Sequence, residues 1–410
     1  MKVGVFIGNT SPKSGGGYTF ESEVLKALVK FGAESAHIFV VFSWAKEPPP
    51  EILASHIHFI SLAHSFTDRV LSAIFRTALK VFKKIRYVRV ENSLEKLIFK
   101  SIFNSSVEII WCLTPWTYPT MDVPYITVVW DLQHRLQPYF PEMSTEGQWN
   151  EREQSYEIRL RRASVVLTGT EAGKAEIKHF YQVPAEQIRI LPLPTPRFAL
   201  DALPSDGKQV LAKYNIPENY LFYPAQFWPH KNHVGVLLAV QVLRDKYDLV
   251  FPVLFVGSEK GNEQYIRQIA AELDLMTQVY FLGFVPQQDL ISIYRNAFAL
   301  TFLSFFGPDN LPPLEAFALG CPVVASNVSG AQEQLGDAAL LVNPRDPEHI
   351  AKAIKLLHDD PTLCQTLIQR GLERASKWTG EDYVKGVLSI LDEFEPIRRC
   401  WSSKQPYHQG

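Results

Sequence analysis

Residues 311–326 read Leu311-Pro312-Pro313-Leu314-Glu315-Ala316-Phe317-Ala318-Leu319-Gly320-Cys321-Pro322-Val323-Val324-Ala325-Ser326. The period changes within this stretch. From Leu311 to Leu319 the pattern predicts a helix, and Pro312 suits an early helical position, where no N–H is needed. Gly320 closes the helix. Pro322 then opens a short apolar run rich in valine, the pattern of a strand buried on both faces. A second such run, 299–302, lies just upstream. A crossover helix between two buried runs implies parallel strands and an α/β class.

The same alternation extends in both directions. In the second half, strands are predicted at 220–223, 250–256, 279–281, 299–302, 322–325 and 339–342. Helices are predicted between them at 234–244, 263–273, 288–296, 311–319 and 347–357. In the first half, strands are predicted at 2–7, 38–43, 107–111, 125–129, 164–168 and 188–191. Helical patterns lie at 20–29, 68–86, 91–102 and 149–162. Between the halves, Pro192, Pro194, Pro196 and Pro204 interrupt the rhythm, because dense prolines propagate neither helix nor central strand. A linker is expected at 192–207. Two open α/β domains of similar size place a ligand at the carboxyl ends of their strands, in the cleft between them.

Composition narrows the function. The chain has 410 residues with 46% hydrophobic and 20% charged side chains, which argues against disorder or a fibre. Its net charge of −2 disfavours a nucleic-acid partner. The cysteines Cys112, Cys321, Cys364 and Cys400 are too scattered for a CxxC metal or redox motif, so no metal is expected and a reducing, cytoplasmic setting is. The apolar run at the N-terminus is too short for a signal-peptide core, and no stretch has the ~20 apolar residues of a membrane span.

Several short motifs carry candidate chemistry. Gly15-Gly16-Gly17 follows the first strand and opens a helix, which leaves amides free for a phosphate or a sugar, or makes a flexible turn. It is not GxGxxG. Asp131 and His134 follow the strand at 125–129 and are placed to orient a sugar hydroxyl or share a proton, unless the turn is simply capped and solvated. Thr168–Lys174 falls one residue short of a phosphate loop, and Thr170 fits a helix N-cap instead. Lys231 lies at a helix start after the first strand of the second half, where its cation adds to the positive helix end and suits an anion. Glu315 is placed to accept both hydroxyls of a ribose, or merely to complement the helix dipole.

In their order and spacing these residues resemble the nucleotide-sugar domain of retaining glycosyltransferases of family 4. The resemblance runs from Phe222-Tyr223-Pro224 and Pro229-His230-Lys231-Asn232 through Phe255-Val256-Gly257 and Phe281-Leu282-Gly283-Phe284-Val285 to the 311–326 stretch. It is looser in the first half, at Gly15-Gly16-Gly17, the Asp131 turn and 163–174. The resemblance implies a GT-B fold, with two Rossmann-like doubly wound domains facing each other across a cleft. The domains would span 1–195 and 206–376, with a helix at 377–400 returning to the first.

The resemblance also implies metal-independent transfer of a hexose from a nucleoside-diphosphate sugar, with retention, to a glycan or lipid-linked glycan acceptor. GDP-mannose is the favoured donor. A UDP-hexose, or a non-catalytic nucleotide-sugar-binding subunit, is the alternative. Lys231 matches the diphosphate-binding lysine, and Glu315 matches the glutamate that holds the donor ribose. Gly283, Phe284 and Val285 match the segment that reads the base, while Asn310 and Leu311 match the loop touching sugar and phosphate. Gly16 and Gly17 complete the donor set. The partner glutamate eight residues before Glu315 is Gly307 here, so Asp309 is expected to supply the carboxylate. The histidine that commonly precedes the first-domain Asp is Trp130 here, so His134 is expected to take its role. Asp131, His134, Lys231 and Asp309 are therefore the catalytic candidates.

One further segment stands out. Residues 69–89 carry Arg69, Arg76, Lys80, Lys83, Lys84, Arg86 and Arg89 without an acidic residue, beside apolar positions at helical spacing. A basic amphipathic helix of this kind suits peripheral contact with the anionic inner face of a membrane, or is an ordinary domain helix whose apolar stripe packs on the sheet and whose basic face is solvated or lines the acceptor cleft.

Overall fold

The computed structural model describes residues 1–8, 11, 15–63, 104–115, 123–203 and 207–401. The basic segment at 69–89 and the helices expected at 68–86 and 91–102 lie outside these residues. The described chain forms two parallel sheets. The first contains β1 (Lys2–Phe6), β2 (Ile38–Ser43), β3 (His58–Ser61), β4 (Ile109–Cys112), β5 (Tyr125–Val128), β6 (Val165–Thr168) and β7 (Ile188–Ile190), in the order β3-β2-β1-β4-β5-β6-β7. The second contains β8 (Leu221–Pro224), β9 (Val253–Val256), β10 (Val279–Phe281), β11 (Ala299–Phe302), β12 (Val323–Ser326) and β13 (Leu340–Val342), in the order β10-β9-β8-β11-β12-β13. Every pairing is parallel, as the alternation predicts. The strand missing from the sequence reading is β3, an edge strand whose ends are polar or exposed.

Strand order reverses beside β1 in the first sheet and beside β8 in the second, and it is there that a doubly wound sheet opens a crevice at its carboxyl edge. The segments leaving β1, β5, β8 and β11 carry Gly15–Gly17, Trp130–Asp131, Pro229–Lys231 and Gly307–Asn310. The sequence motifs thus sit where the topology makes room for a ligand.

Two covalent crossings join the domains. The segment expected as a linker is well ordered around Pro192 and Leu193: the Trp378 indole donates to the Pro192 carbonyl at 2.8 Å, and the short helix Arg197–Leu200 follows. Proline removes a donor but keeps its acceptor, so the segment still has carbonyls to anchor. The chain then recrosses at Thr379. Thr379 and Asp382 form a capping box that starts the helix Gly380–Arg398. That helix buries Tyr383, Val384, Val387 and Leu391 in one cluster with Phe20, Val24 and Leu28 of the helix Gly16–Gly32. Each fully buried aliphatic side chain contributes roughly 1.5–3 kcal/mol, so this return helix is integral to the first domain's core. Leu311 of the second domain belongs to that same apolar cluster, which closes one edge of the cleft.

No described helix is long and apolar enough to cross a membrane.

Candidate active site in the interdomain cleft

Lys231 ends a tight turn, Pro229–Lys231, between β8 and the helix His233–Tyr247. Asn232 builds the turn. It adopts φ 56°, its Oδ1 caps the Gly235 N–H at 3.1 Å, and its Nδ2 donates to Leu303 and Pro344 carbonyls. Tyr223 fixes the backbone by donating its hydroxyl to the Lys231 carbonyl. The Lys231 ammonium lies 5.3 Å from the centre of the Phe302 ring, over the end of β11, and pairs with no carboxylate among the described residues. Burial draws its pKa down to about 8, partly opposed by the charges of Asp131 and Glu142. A desolvated cation without a partner is the arrangement that an incoming anion rewards most.

Glu315 lies on the helix Leu311–Ala318, buried beside Tyr294. It is 7% exposed, and Tyr294 donates to its Oε2 at 2.7 Å. Burial raises its pKa to about 7, which that hydrogen bond only partly offsets. Asn310 turns inward on its own loop: its Nδ2 donates to the Gly307 carbonyl at 2.7 Å, and its N–H donates to Gln334 at 3.0 Å. The helix-start amides expected to hold an anion are correspondingly few. Pro312 and Pro313 have no N–H, which leaves the Leu311 N–H as the open donor of the first turn. In the segment expected to read the base, the Gly283 carbonyl accepts from the Gly257 N–H at 2.9 Å, Phe284 is exposed and Val285 is buried.

On the first-domain side, Gly15 adopts φ 74° at the start of the helix Gly16–Gly32, a conformation that a side chain would strain. A Cβ on Gly16 would lie 3.5 Å from Leu311, and one on Gly17 would lie 3.6 Å from the Trp130 ring. The glycine turn is therefore pressed against the second domain's helix start. Asp131 does not stand alone. Arg152 donates to its Oδ1 at 2.5 Å and to its carbonyl at 2.9 Å, and the Gln133 N–H adds a third bond. Burial raises the Asp131 pKa, but Arg152 and the Gln133 amide outweigh it and hold the carboxyl below its ordinary value.

One expected catalytic residue sits differently from its reading in the sequence. His134 is not in the cleft. The short helix Gln133–Leu136 turns it into the first-domain core, where it is fully buried and its Nε2 meets Tyr181 at 2.9 Å and Glu153 at 3.2 Å. Burial and the nearby Arg152 charge push its pKa down to about 4, so it is a neutral core histidine. Asp309 does reach the cleft, at a narrow recess that Trp130, Gly169, Leu193 and Tyr383 also line. Its Oδ2 accepts the Leu193 N–H of the first domain at 2.6 Å, and Gln334 donates to its Oδ1. A Cβ on Gly169 would lie 2.1 Å from Oδ2, so the contact needs glycine there. Asp309 thus spans the domains, and each oxygen keeps a second lone pair for a ligand hydroxyl. Burial lifts its pKa to about 7.

Three charged residues at the cleft escaped the sequence reading. Arg152 holds Asp131. Glu142 reaches from the first domain to His230, accepting from its Nδ1 at 2.5 Å and its backbone N–H at 3.2 Å. Glu333 of the second domain accepts the N–H groups of Glu171 and Ala172 at 2.6 and 3.0 Å, at the start of the first-domain helix Glu171–Tyr181. Thr170 caps that helix as its spacing predicts, accepting from Gly173 at 3.0 Å. Among the described residues, no three His, Cys, Asp or Glu side chains gather as a metal site.

Two switch-point crevices facing each other, one carrying a partnerless lysine and a buried glutamate, define a GT-B architecture. Residues 209–374, within the second domain, match the family described as Glycosyl transferases group 1. The chain is 28% identical over 243 residues to O-antigen chain mannosyltransferase B of Escherichia coli, covering 59% of this chain and 64% of the relative. It is 28% identical over 251 residues to O-antigen chain mannosyltransferase RfbU of Salmonella typhimurium, covering 61% and 65%. The matches span just under two thirds of these relatives' lengths. Among solved structures, sucrose-phosphate synthase from Thermosynechococcus elongatus superposes with a TM-score of 0.73 at 18% identity, covering 97% of this chain and 100% of that one. Anabaena HepE in complex with UDP-glucose gives 0.69 at 15% identity, covering 96% and 100%. At these identities the likeness is one of fold.

Proposed function

We propose that the protein transfers a hexose from a nucleoside-diphosphate sugar, GDP-mannose by preference, to a glycan or lipid-linked glycan acceptor with retention of configuration. The observation that carries this reading is the Lys231 ammonium, desolvated and unpaired at the switch point of the second sheet. Breaking the sugar–phosphate bond builds negative charge on the diphosphate. Lys231 and the Leu311 N–H would stabilise that charge more in the transition state than in the ground state. Glu315, poised by Tyr294, would accept the ribose hydroxyls, and the segment Gly283–Val285 would bound the base. Asp131 and Asp309 would place carboxylate oxygens near the sugar, where positive charge develops on the ring. The mannosyltransferase relatives support the choice of sugar, and the UDP-glucose complex of a like fold supports a nucleotide-sugar donor.

The test is a transfer assay with GDP-mannose, UDP-glucose and UDP-galactose, run with EDTA and with Mg²⁺. Incorporation from GDP-mannose that EDTA leaves unchanged is the expected outcome. Transfer from a UDP-hexose alone would replace the donor. Nucleotide binding without transfer from any donor would point to a non-catalytic subunit.

A further inference from the structure

The turn that presents Lys231 is held from the opposite domain. Gln137 donates to the Phe305 carbonyl at 2.9 Å, Phe140 stacks on Phe305 with ring centres 6.0 Å apart, and Phe140 meets the His230 ring at 6.2 Å. Glu142 completes the contact through both the backbone N–H and the Nδ1 of His230. Its other oxygen, Oε2, is buried with no hydrogen-bond partner, so His230 supplies the side-chain donor to this carboxylate. Among the described residues, the side-chain contact of His230 is made through Nδ1, to Glu142, and none is made through Nε2. Around the imidazole stand the carboxylates of Glu142 and Asp131, the latter paired with Arg152, and the ammonium of Lys231.

Resting on the reading of Lys231 as a diphosphate ligand, we propose that Glu142 is a positioning residue for the nucleotide site. It holds His230 beside Lys231 as a second, titratable cation, so that nucleotide binding and proton uptake are coupled. In the empty site, burial and the adjacent Lys231 charge keep the His230 pKa below its ordinary value, against the pull of Glu142 and Asp131. A diphosphate brings new negative charge to the same place and shifts the balance toward imidazolium. The Nδ1–H is already committed to Glu142, so the Nε2–H of the imidazolium is the donor left for a phosphate oxygen. A group that is protonated more fully in the complex than in the free protein draws a proton on binding, and affinity then falls as pH rises.

The experiment is titration calorimetry of the full chain with GDP and with UDP, in two buffers of different ionisation heat, at pH 6, 7 and 8. The parent should take up roughly half a proton at pH 7 and lose affinity by ~3–10-fold between pH 6 and 8. His230→Arg, a permanent cation, should bind without that uptake and with a flatter pH profile. The nucleotide's terminal phosphate titrates at about pH 6 in both proteins, so their difference isolates the imidazole. Glu142→Gln should bind more weakly than the parent at pH 6 and converge with it at pH 8. Uptake that persists in His230→Arg, or a Glu142→Gln loss equal at both pH values, overturns the proposal while leaving the nucleotide site intact. A folded parent that binds neither nucleotide overturns the nucleotide reading itself, and the coupling with it.

Discussion

The two walls of the cleft are built on the same kind of switch point but finish their charged groups in opposite ways. On the first-domain side, several charges satisfy one another, though Glu142 keeps one buried carboxylate oxygen without a hydrogen bond among the described residues. Arg152 closes on Asp131, Arg135 closes on Glu153, and His134 and Tyr181 complete that cluster. On the second-domain wall, among the described residues, Lys231 pairs with no carboxylate and the side-chain donor to Glu315 is Tyr294. A self-satisfied wall is rigid and neutral to a ligand, whereas an unsatisfied one gains interactions when a ligand of the right chemistry arrives. The glycine turn and Trp130 then shape the space, and the second domain supplies the charge.

Lys231→Ala breaks this contrast most directly. It removes a charge-assisted contact that strengthens as the sugar–phosphate bond breaks. Transfer should fall ~30–1,000-fold, equivalent to roughly 2–4 kcal/mol, while the first domain is untouched. Steady-state rates on a folded variant check this, and an unchanged rate would return Lys231 to an ordinary buried lysine.

Glu315→Gln tests the other open group. Hydrogen bonds to a charged acceptor contribute about 1.5–3 kcal/mol, so GDP binding should weaken by ~10–100-fold. The 2′,3′-dideoxy nucleotide, which lacks both hydroxyls, should bind parent and variant alike. Equal loss for both nucleotides would mean that the carboxylate serves the helix rather than the ribose.

His134→Gln probes the closed wall, where the consequence is stability rather than catalysis. The folded histidine, with its pKa near 4, lies below the unfolded value of about 6.5. The unfolded chain therefore takes up the proton first, and stability is lost as pH falls from 6.5 toward 4. The full effect is ~3 kcal/mol, read as a falling urea midpoint. His134→Gln should flatten that slope, and an unchanged slope would place the titrating group elsewhere.

The smallest effect belongs to the seam between the walls. Glu333→Gln removes an anion from the start of the helix Glu171–Tyr181, a contribution of about 0.3–1 kcal/mol at an exposed site. Hydrogen exchange at the Glu171 and Ala172 amides should quicken ~2–5-fold, with transfer chemistry otherwise unaltered. Protection unchanged in the variant would mean that Glu333 does not bridge the domains in solution.

The contrast between the walls also explains which parts of the site were legible in the sequence. Lys231 and Glu315 can be placed from the sequence because strand, turn and helix fix the turn after β8 and the helix that follows β11. Arg152, Glu142 and Glu333 do not, since a polar residue on an amphipathic helix reads as solvated whichever way it faces. Their partners, Asp131, His230 and the Glu171 amide, lie at separations of 21, 88 and 162 residues. His134 was misread for a related reason. Three residues from Asp131 looks like neighbourhood, yet a single helical turn at Gln133–Leu136 sends the two side chains in different directions.

What the sequence determined by itself is the pair of parallel sheets, their crossover helices and the strand ends from which the site residues project. Buried parallel strands must be continuous apolar runs, and that pattern is written locally. What only the tertiary structure decided is the pairing of charges across and along the cleft: Asp131 with Arg152, Glu142 with His230, Asp309 with the Leu193 amide and Glu333 with a helix start. Hydrogen bonds act over about 3 Å in space and carry no signature in sequence distance, so which donor meets which acceptor is settled only when the two domains come together.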